Sequence, residues 1–324
     1  MRAAWYEKQG PAREVLTVGE MPDPHPVSGE VRIRVAASGI NPGDVKKRQD
    51  TFGIGMPYAR VIPHSDGAGE IDEVGTGVSS AWLGQPVWCF GAQSYRPFGT
   101  AAEFTVVPLD QVARLPEGTS MEQGACLGIP GITAHRAVHV AGEVSGRIVL
   151  VQGAAGSVGL CAVQLARRAG ARVIGTIRSA SDEAAARKAG AHEVVSNNVK
   201  LTDNVKTLVP NGIDHIVEVA FAANMEADLE LLKMGGSLAA YATNADKPSI
   251  PFWQMVFKNV RLFFLGSDDF PKEAKTLAAR DLNSALEAGW PGFEIAEKIP
   301  LPEIARAHEL SEHPLRPGRV IVIP

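Results

Sequence analysis

The sequence predicts an α/β protein in two parts: a β-rich domain made from both ends of the chain and, between them, a doubly wound parallel sheet. Three observations predict it. The first third runs as short apolar strands broken by Gly and Pro, the middle from Gly146 alternates strands with helices, and the chain closes on a lone apolar strand, RVIVIP. At 324 residues the chain is also too long for one ordinary hydrophobic core and fits two.

In the first part, 31–36 (VRIRVA), 69–74 (GEIDEV), 86–90 (PVWCF) and 102–107 (AEFTVV) are short β-rich runs broken by Gly and Pro, the pattern of a β-barrel or open β fold. The middle part reads in order as a strand at 147–153 (RIVLVQG), a helix over 157–169, a strand at 171–177 (ARVIGTI) and a helix over 181–189. A strand at 214–220 (DHIVEVA), a helix running into Met234, and strands at 236–242 (GSLAAYA) and 260–266 (VRLFFLG) follow. The last part predicts a helix over 272–288, a strand at 295–299, a helix over 301–311 and the closing strand, which is expected to return to the first domain.

Composition narrows the function classes. A net charge of -4 with no basic run gives no surface for nucleic acid or an anionic membrane, so small molecules are the expected ligands. The opening MRAAWYEKQGP has no apolar signal core and no stretch approaches the roughly 18 apolar residues of a membrane span, so a cytoplasmic protein is expected. Cys89, Cys126 and Cys161 are too scattered for a disulfide framework or a zinc module and read as core residues.

The chemistry-bearing motif follows the strand ending in Gln152. Gly153-Ala154-Ala155-Gly156-Ser157-Val158-Gly159 opens an Ala-rich helix, the setting in which a tight turn lets a pyrophosphate approach the helix N-terminus. Ala154 replaces one glycine of the strict G-x-G-x-x-G pattern; the strand before it, the helix after it and the strand beyond carry the assignment. The second strand ends in Thr176, Arg178 and Ser179 with no acid at 176–181. An NAD-binding fold places an Asp or Glu there for the ribose 2′-hydroxyl, whereas Arg and hydroxyls suit a 2′-phosphate, so NADPH is the expected cofactor.

The segments AASGINPGD (36–44), IPHSDGAGEIDEVGTGV (62–78), LGIPGITAHRAV (127–138), GAAGSVGLCAVQLARRAGARVIGT (153–176) and GAHEVV (190–195) stand in the order seen in a known family, with AHEL and PGRVIVI near the end. The chain resembles the ζ-crystallin-like NADPH:quinone oxidoreductases, zinc-independent medium-chain dehydrogenases/reductases. The resemblance implies a GroES-like substrate domain over 1–122 and 271–324, a Rossmann domain over 123–270, a cleft between them and a homodimer. It implies roles for Asn41, whose amide meets a carbonyl or the cofactor, and for Asp44, which fixes the loop or binds the nicotinamide ribose. Thr133 is expected near the nicotinamide, and Leu265, Gly266 and Ser267 near the carboxamide. Lys46 and Phe52 stand close to where the family has tyrosines, Asn197 stands at another family tyrosine beside the cofactor, and Asp182 replaces a lysine of the 2′-phosphate site.

Zinc-dependent alcohol dehydrogenases share this fold, and a catalytic zinc needs thiolate and imidazole ligands. At the matching positions stand Asn41, Ser65 and Ile129. His64, one residue away, reads as a loop or domain-interface histidine, and His135 and His139 as packing or surface residues. Arg316 and Arg319 reach either the cleft or solvent. Without a Lewis acid, hydride needs an acceptor whose developing charge hydrogen bonds can meet, such as a quinone or an α,β-unsaturated carbonyl. Quinone reduction, enal or enone reduction, and a non-catalytic NADPH-binding regulatory protein therefore stand as the alternatives, in that order.

Overall fold

The computed structural model describes residues 1–315 and 318–324; Arg316 lies outside the described residues. Its strands, in chain order, are β1 (Arg2–Trp5), β2 (Thr17–Glu20), β3 (Glu30–Gly39), β4 (Asp66–Val74), β5 (Pro86–Cys89), β6 (Phe104–Pro108), β7 (Val112–Arg114), β8 (Ile148–Val151), β9 (Arg172–Ile177), β10 (Glu193–Ser196), β11 (Ile213–Glu218), β12 (Leu232–Ala240), β13 (Arg261–Phe264), β14 (Ile295–Pro300) and β15 (Arg319–Ile323). The chain divides into two compact units: Met1–Pro130 with Pro271–Pro324, and Gly131–Phe270.

In the first unit the sheet order is β14-β15-β3-β4-β5-β7, with β6 also paired to β3. The alternation of β3 sets its two faces. Val31, Ile33 and Val35 are buried, Val31 and Ile33 in a core shared with Ile71, Val87 and Val107. Arg32 points the other way, onto Asp72 and the Phe104 ring. The closing strand β15 pairs antiparallel with β3, Val322 opposite Ser38 and Ile321 opposite Gly39. A second core of Ala3, Ile40, Val45, Ile62, Ile299, Ile304 and Val322 therefore joins the two chain ends.

The second unit is a six-stranded parallel sheet of order β10-β9-β8-β11-β12-β13. Val149, Leu150 and Val151 are fully buried, as a central parallel strand requires, and Leu150 packs with Ile174, Ile213, Ile216, Phe221 and Leu238. The winding reverses between β8 and β11. Such a switch point leaves the carboxyl end of the central strands open for a ligand, and the glycine-rich loop leaves β8 at that end.

Residues 42–48 form the helix Pro42–Arg48: Pro42 occupies its first turn and the Asp44 carboxylate accepts the Asn41 backbone N–H. One local expectation is corrected. The helix expected to reach Met234 is Phe221–Leu231, and Met234 lies in β12. Pairing to β11 decides this, with Leu232 opposite Ile213 and Lys233 bonded to Asp214 at 2.9 Å. His64, expected as a loop or domain-interface histidine, lies in the loop that leads into β4 and is fully buried.

Candidate functional site

Asn41 lies two residues beyond the end of β3 and is the N-cap of the helix Pro42–Arg48, so its backbone is held by a strand on one side and a helix on the other. It is 3% exposed. Its Nδ2 donates to Asp66 Oδ2 at 2.7 Å, and its Oδ1 accepts from the Arg319 guanidinium at 2.9 Å. Asp66, fully buried at the start of β4, also accepts the Ile129 backbone N–H at 2.9 Å. Burial pushes its carboxyl up to about 7; Asp44 adds to the rise, while the hydrogen bonds from Asn41 and Ile129 and the charge of Arg319 oppose it. Of the expected residues here, the structure brings Asn41 and Asp44 together. Lys46 and Phe52 form a separate pair, the Lys46 ammonium 5.9 Å from the centre of a ring that is 52% exposed.

Behind this group runs a buried chain of hydrogen bonds. Arg48 Nε donates to His308 Nδ1 at 3.4 Å, the two imidazole Nε2 atoms of His308 and His64 lie 3.0 Å apart, and His64 Nδ1 is 2.7 Å from Ser38 Oγ. Ser38 Oγ is 2.7 Å from Thr100 Oγ1, which donates to the Asp66 carbonyl at 2.6 Å. An arginine only donates and a carbonyl only accepts, so the two ends assign every hydrogen between them: His308 carries its proton on Nε2 and His64 on Nδ1. Both imidazoles are therefore neutral. Burial, with Arg319 near one and His64 and Arg48 near the other, lowers His64 to about 3 and His308 well below its usual value.

In the second unit the loop after β8 is held from below. Gly153 N–H donates to Thr176 Oγ1 at 3.0 Å and Ala154 N–H to Thr176 O at 2.8 Å. Thr176 donates to Gln152 Oε1 and Gln152 Nε2 to Asp228 Oδ1, both at 2.7 Å. Asp228 faces Glu218; burial first and that neighbour second raise its carboxyl well above the usual range. Thr176 and Ala154, expected at the cofactor, are thus fully buried supports of the loop. The helix Ser157–Arg168 begins at Gly156, which offers no side-chain cap to its first-turn N–H groups. A Cβ at Gly159 would overlap the Gly153 carbonyl, so only glycine lets the helix start lie this close to the loop. Val158 is half-buried on that first turn.

Arg178 and Ser179 are exposed just after β9, and among the described residues Arg178 has no ion-pair partner. Asp182 accepts the Ser179 N–H at 3.3 Å, so the acid that replaces the expected lysine caps a turn. Asn197 follows β10, its N–H on Ile177 O at 2.7 Å. Leu265 and Gly266 line a recess of about 390 Å³ with Phe221, Tyr241 and Thr243, and Ser267 starts the turn beyond it. Thr133 is buried on the helix Gly128–His139, where the His135 and His139 rings pack 4.6 Å apart. The three cysteines are buried thiols.

Sequence reasoning gave no role to Asp66, Asp228 or Glu218. Asp66 and Glu218 carried a signal, an acid in a glycine-rich or apolar run that the fold buries, in SDGAGE and HIVEVA; Asp228, between Glu226 and Glu230 in NMEADLEL, carried none.

A model described as alcohol dehydrogenase GroES-like domain matches residues 27–117, and one described as zinc-binding dehydrogenase matches residues 157–279. The quinone oxidoreductase of Rattus norvegicus is 36% identical over 316 residues, 94% of this chain and 91% of its own. That of Homo sapiens is 34% identical over 312 residues, with the same coverage. Among solved structures, Escherichia coli quinone oxidoreductase complexed with NADPH is 25% identical with a TM-score of 0.87, and a mycobacterial quinone oxidoreductase is 26% identical with 0.88, each covering 100% of both chains. Sequence likeness along nearly the whole chain and the same pair of sheets agree: the chain belongs to the quinone oxidoreductase family of the medium-chain dehydrogenase/reductase superfamily, and it is an oxidoreductase.

Proposed function

We propose that this protein reduces quinones or related α,β-unsaturated carbonyls by direct hydride transfer from NADPH, without zinc. The observation that carries the reading is the Asn41 amide, pinned between Asp66 and Arg319 at the position where a zinc-dependent relative carries a thiolate. Ser65 and Ile129 at the other two positions bring no imidazole or thiolate, and among the described residues no three His, Cys, Asp or Glu side chains converge as a ligand group. The match to a model described as zinc-binding dehydrogenase covers residues 157–279, which include none of these three positions.

The residues fit a dinucleotide. The start of the helix Ser157–Arg168, where the N-cap Gly156 has no side chain, suits a pyrophosphate at Gly156, Ser157 and Val158, and Gly159 keeps that start close to β8. Arg178 and Ser179 suit the 2′-phosphate, Asn197 stands beside them, and Leu265, Gly266, Ser267 and Thr133 are assigned to the nicotinamide end. When bound, NADPH supplies the hydride. Thr176 and Ala154 hold the loop, Asp44 fixes the turn that presents Asn41, and Asn41 donates a hydrogen bond to an oxygen that gains charge. Lys46 and Phe52 belong to the acceptor side of this reading. Reduction of an enal or enone is the second reading, because the same amide donor serves a conjugated carbonyl oxygen.

In this reading Met1–Pro130 with Pro271–Pro324 is the substrate domain and Gly131–Phe270 the nucleotide domain. The reading includes a cytoplasmic setting, supported by three buried free thiols; among the described residues no helix is long and apolar enough to cross a membrane. It also includes a homodimer. β13 is the edge of the parallel sheet, and the same unit exposes Trp253 at 66% and Phe257 at 72%, stacked on each other. Light scattering on the purified protein is expected to give twice the chain mass, and Trp253→Glu to shift it toward one; a monomeric wild type refutes the dimer.

Oxidation of NADPH and NADH with 1,4-benzoquinone, 9,10-phenanthrenequinone and a short enal, with and without a zinc chelator, tests the proposal. Chelator-insensitive turnover that prefers NADPH is expected. Turnover that needs zinc, or none with any acceptor, overturns it.

A further inference from the structure

Two observations single out Asp66. First, an asparagine amide has a donor and an acceptor end of nearly equal shape, so only its neighbours decide which way it points. Asp66 Oδ2 takes the donor end of Asn41 and the Arg319 guanidinium takes the acceptor end. Turning the amide over would set oxygen against carboxylate and N–H against guanidinium. Second, Asp66 has almost no freedom to move. A Cβ at Gly128 would overlap its Oδ1, both carboxylate oxygens share the Ile129 N–H, and its own carbonyl ends the hydrogen-bond chain that begins at Arg48.

We propose that Asp66 is a positioning residue: with Arg319 it fixes the orientation of the Asn41 amide, leaving the second Nδ2 hydrogen as the donor offered to a ligand oxygen. The inference rests on Asn41 being a site residue, as read above, and adds the group that makes its amide a donor of fixed direction. The ionised carboxylate accepts more strongly than the neutral acid, so the clamp is set by the protonation of Asp66. The groups that face it are Asn41 and Asp44 from the start of the helix Pro42–Arg48, Arg319 from β15, the Ile129 N–H, and the thiols of Cys89 and Cys126. Burial brings its titration to about 7, where modest changes of pH alter its charge.

The test combines a spectroscopic and a kinetic readout on the full chain. In protein carrying ¹⁵N-labelled asparagine, the side-chain amide signal missing from Asn41→Ala is expected to titrate between about pH 6 and 8, and Asp66→Asn to abolish that titration. With 1,4-benzoquinone and NADPH, Asp66→Asn is expected to lower kcat about tenfold, and the Asn41→Ala/Asp66→Asn double variant to be no slower than Asn41→Ala alone. An Asn41 amide signal that does not move with pH overturns the proposal, as do losses that multiply in the double variant. If the wild type reduces no acceptor, the proposed reaction fails and the amide titration alone decides the role of Asp66. If Asp66→Asn does not fold, the wild-type titration, assigned with Asn41→Ala, still decides it.

Discussion

Asn41 illustrates how much chemistry one side chain draws from its neighbours. Alone, an Asn-Pro-Gly-Asp sequence is a good turn, with Asn and Asp bonding their own backbone. In the folded chain the Asp44 carboxylate holds the Asn41 backbone N–H, and the Asn41 amide is also engaged by Asp66 and Arg319, 25 and 278 residues away. The residue types at 41–44 were legible as a site; their partners were not, because no local pattern connects β3 to β4 or to β15. Arg178 is the opposite case, a proposed role read from position alone at the end of the second strand. Arg178→Ala is expected to weaken NADPH binding about tenfold while leaving NADH binding nearly unchanged, since it removes one charge-assisted partner of the 2′-phosphate. Fluorescence titration with both nucleotides checks this; equal losses for the two would place Arg178 elsewhere.

At the scale of elements, the unit from β8 to the helix Ser157–Arg168 was the most readable part of the chain. A four-residue apolar strand, a glycine-rich turn and an amphipathic helix are each encoded by neighbours in sequence. Its weakest tolerance is at Gly159. Gly159→Ala is expected to push the helix start away from Gly153, costing about 1–3 kcal/mol of stability. NADPH affinity should fall with it, as thermal melting with and without the nucleotide would show; an unchanged melting temperature would mean the loop relaxes freely. Elements set by tertiary pairing were less readable. Met234 continues a helical pattern yet lies in β12, because burying Leu232 against β11 outweighs local propensity. The helix Pro42–Arg48 is short and carries a Pro and a Gly, so its pattern resembled a turn; helix-length hydrogen bonding and the buried Val45 and Arg48 make it a helix.

For the molecule as a whole, the buried titratable groups set how stability responds to acid. His64, His215 and His308 are kept neutral by burial, His64 down to about 3 and His215 to about 4. As the pH drops below about 6.5 the unfolded chain takes up protons that the folded chain refuses, and stability falls. Asp66 and Asp228 act in the opposite sense: their raised folded values mean that the folded chain holds protons the unfolded chain has lost, an effect that ends near pH 4. The melting temperature is therefore expected to decline gently from about pH 6.5 to 4 and steeply below it. Melting curves across that range check the balance, and a melting temperature that rises toward pH 4 would show that the histidines are not held neutral.

The sequence by itself determined the two-part α/β plan, the parallel sheet and its glycine-rich turn, and the candidate residues Asn41, Asp44 and Arg178. The plan, the sheet and its turn depend on period and turn chemistry and Arg178 on spacing within a few dozen residues, while Asn41 and Asp44 are candidates through the resemblance of their segment to the family. Only the tertiary structure decided what holds them: Asp66 and Arg319 around Asn41, the chain from Arg48 through His308 and His64 to Thr100, and Asp228 with Gln152 under the loop. The physical reason is that a buried polar group must find a partner wherever the fold provides one. For these residues the partners come from segments that are distant in sequence and meet only when the sheets form.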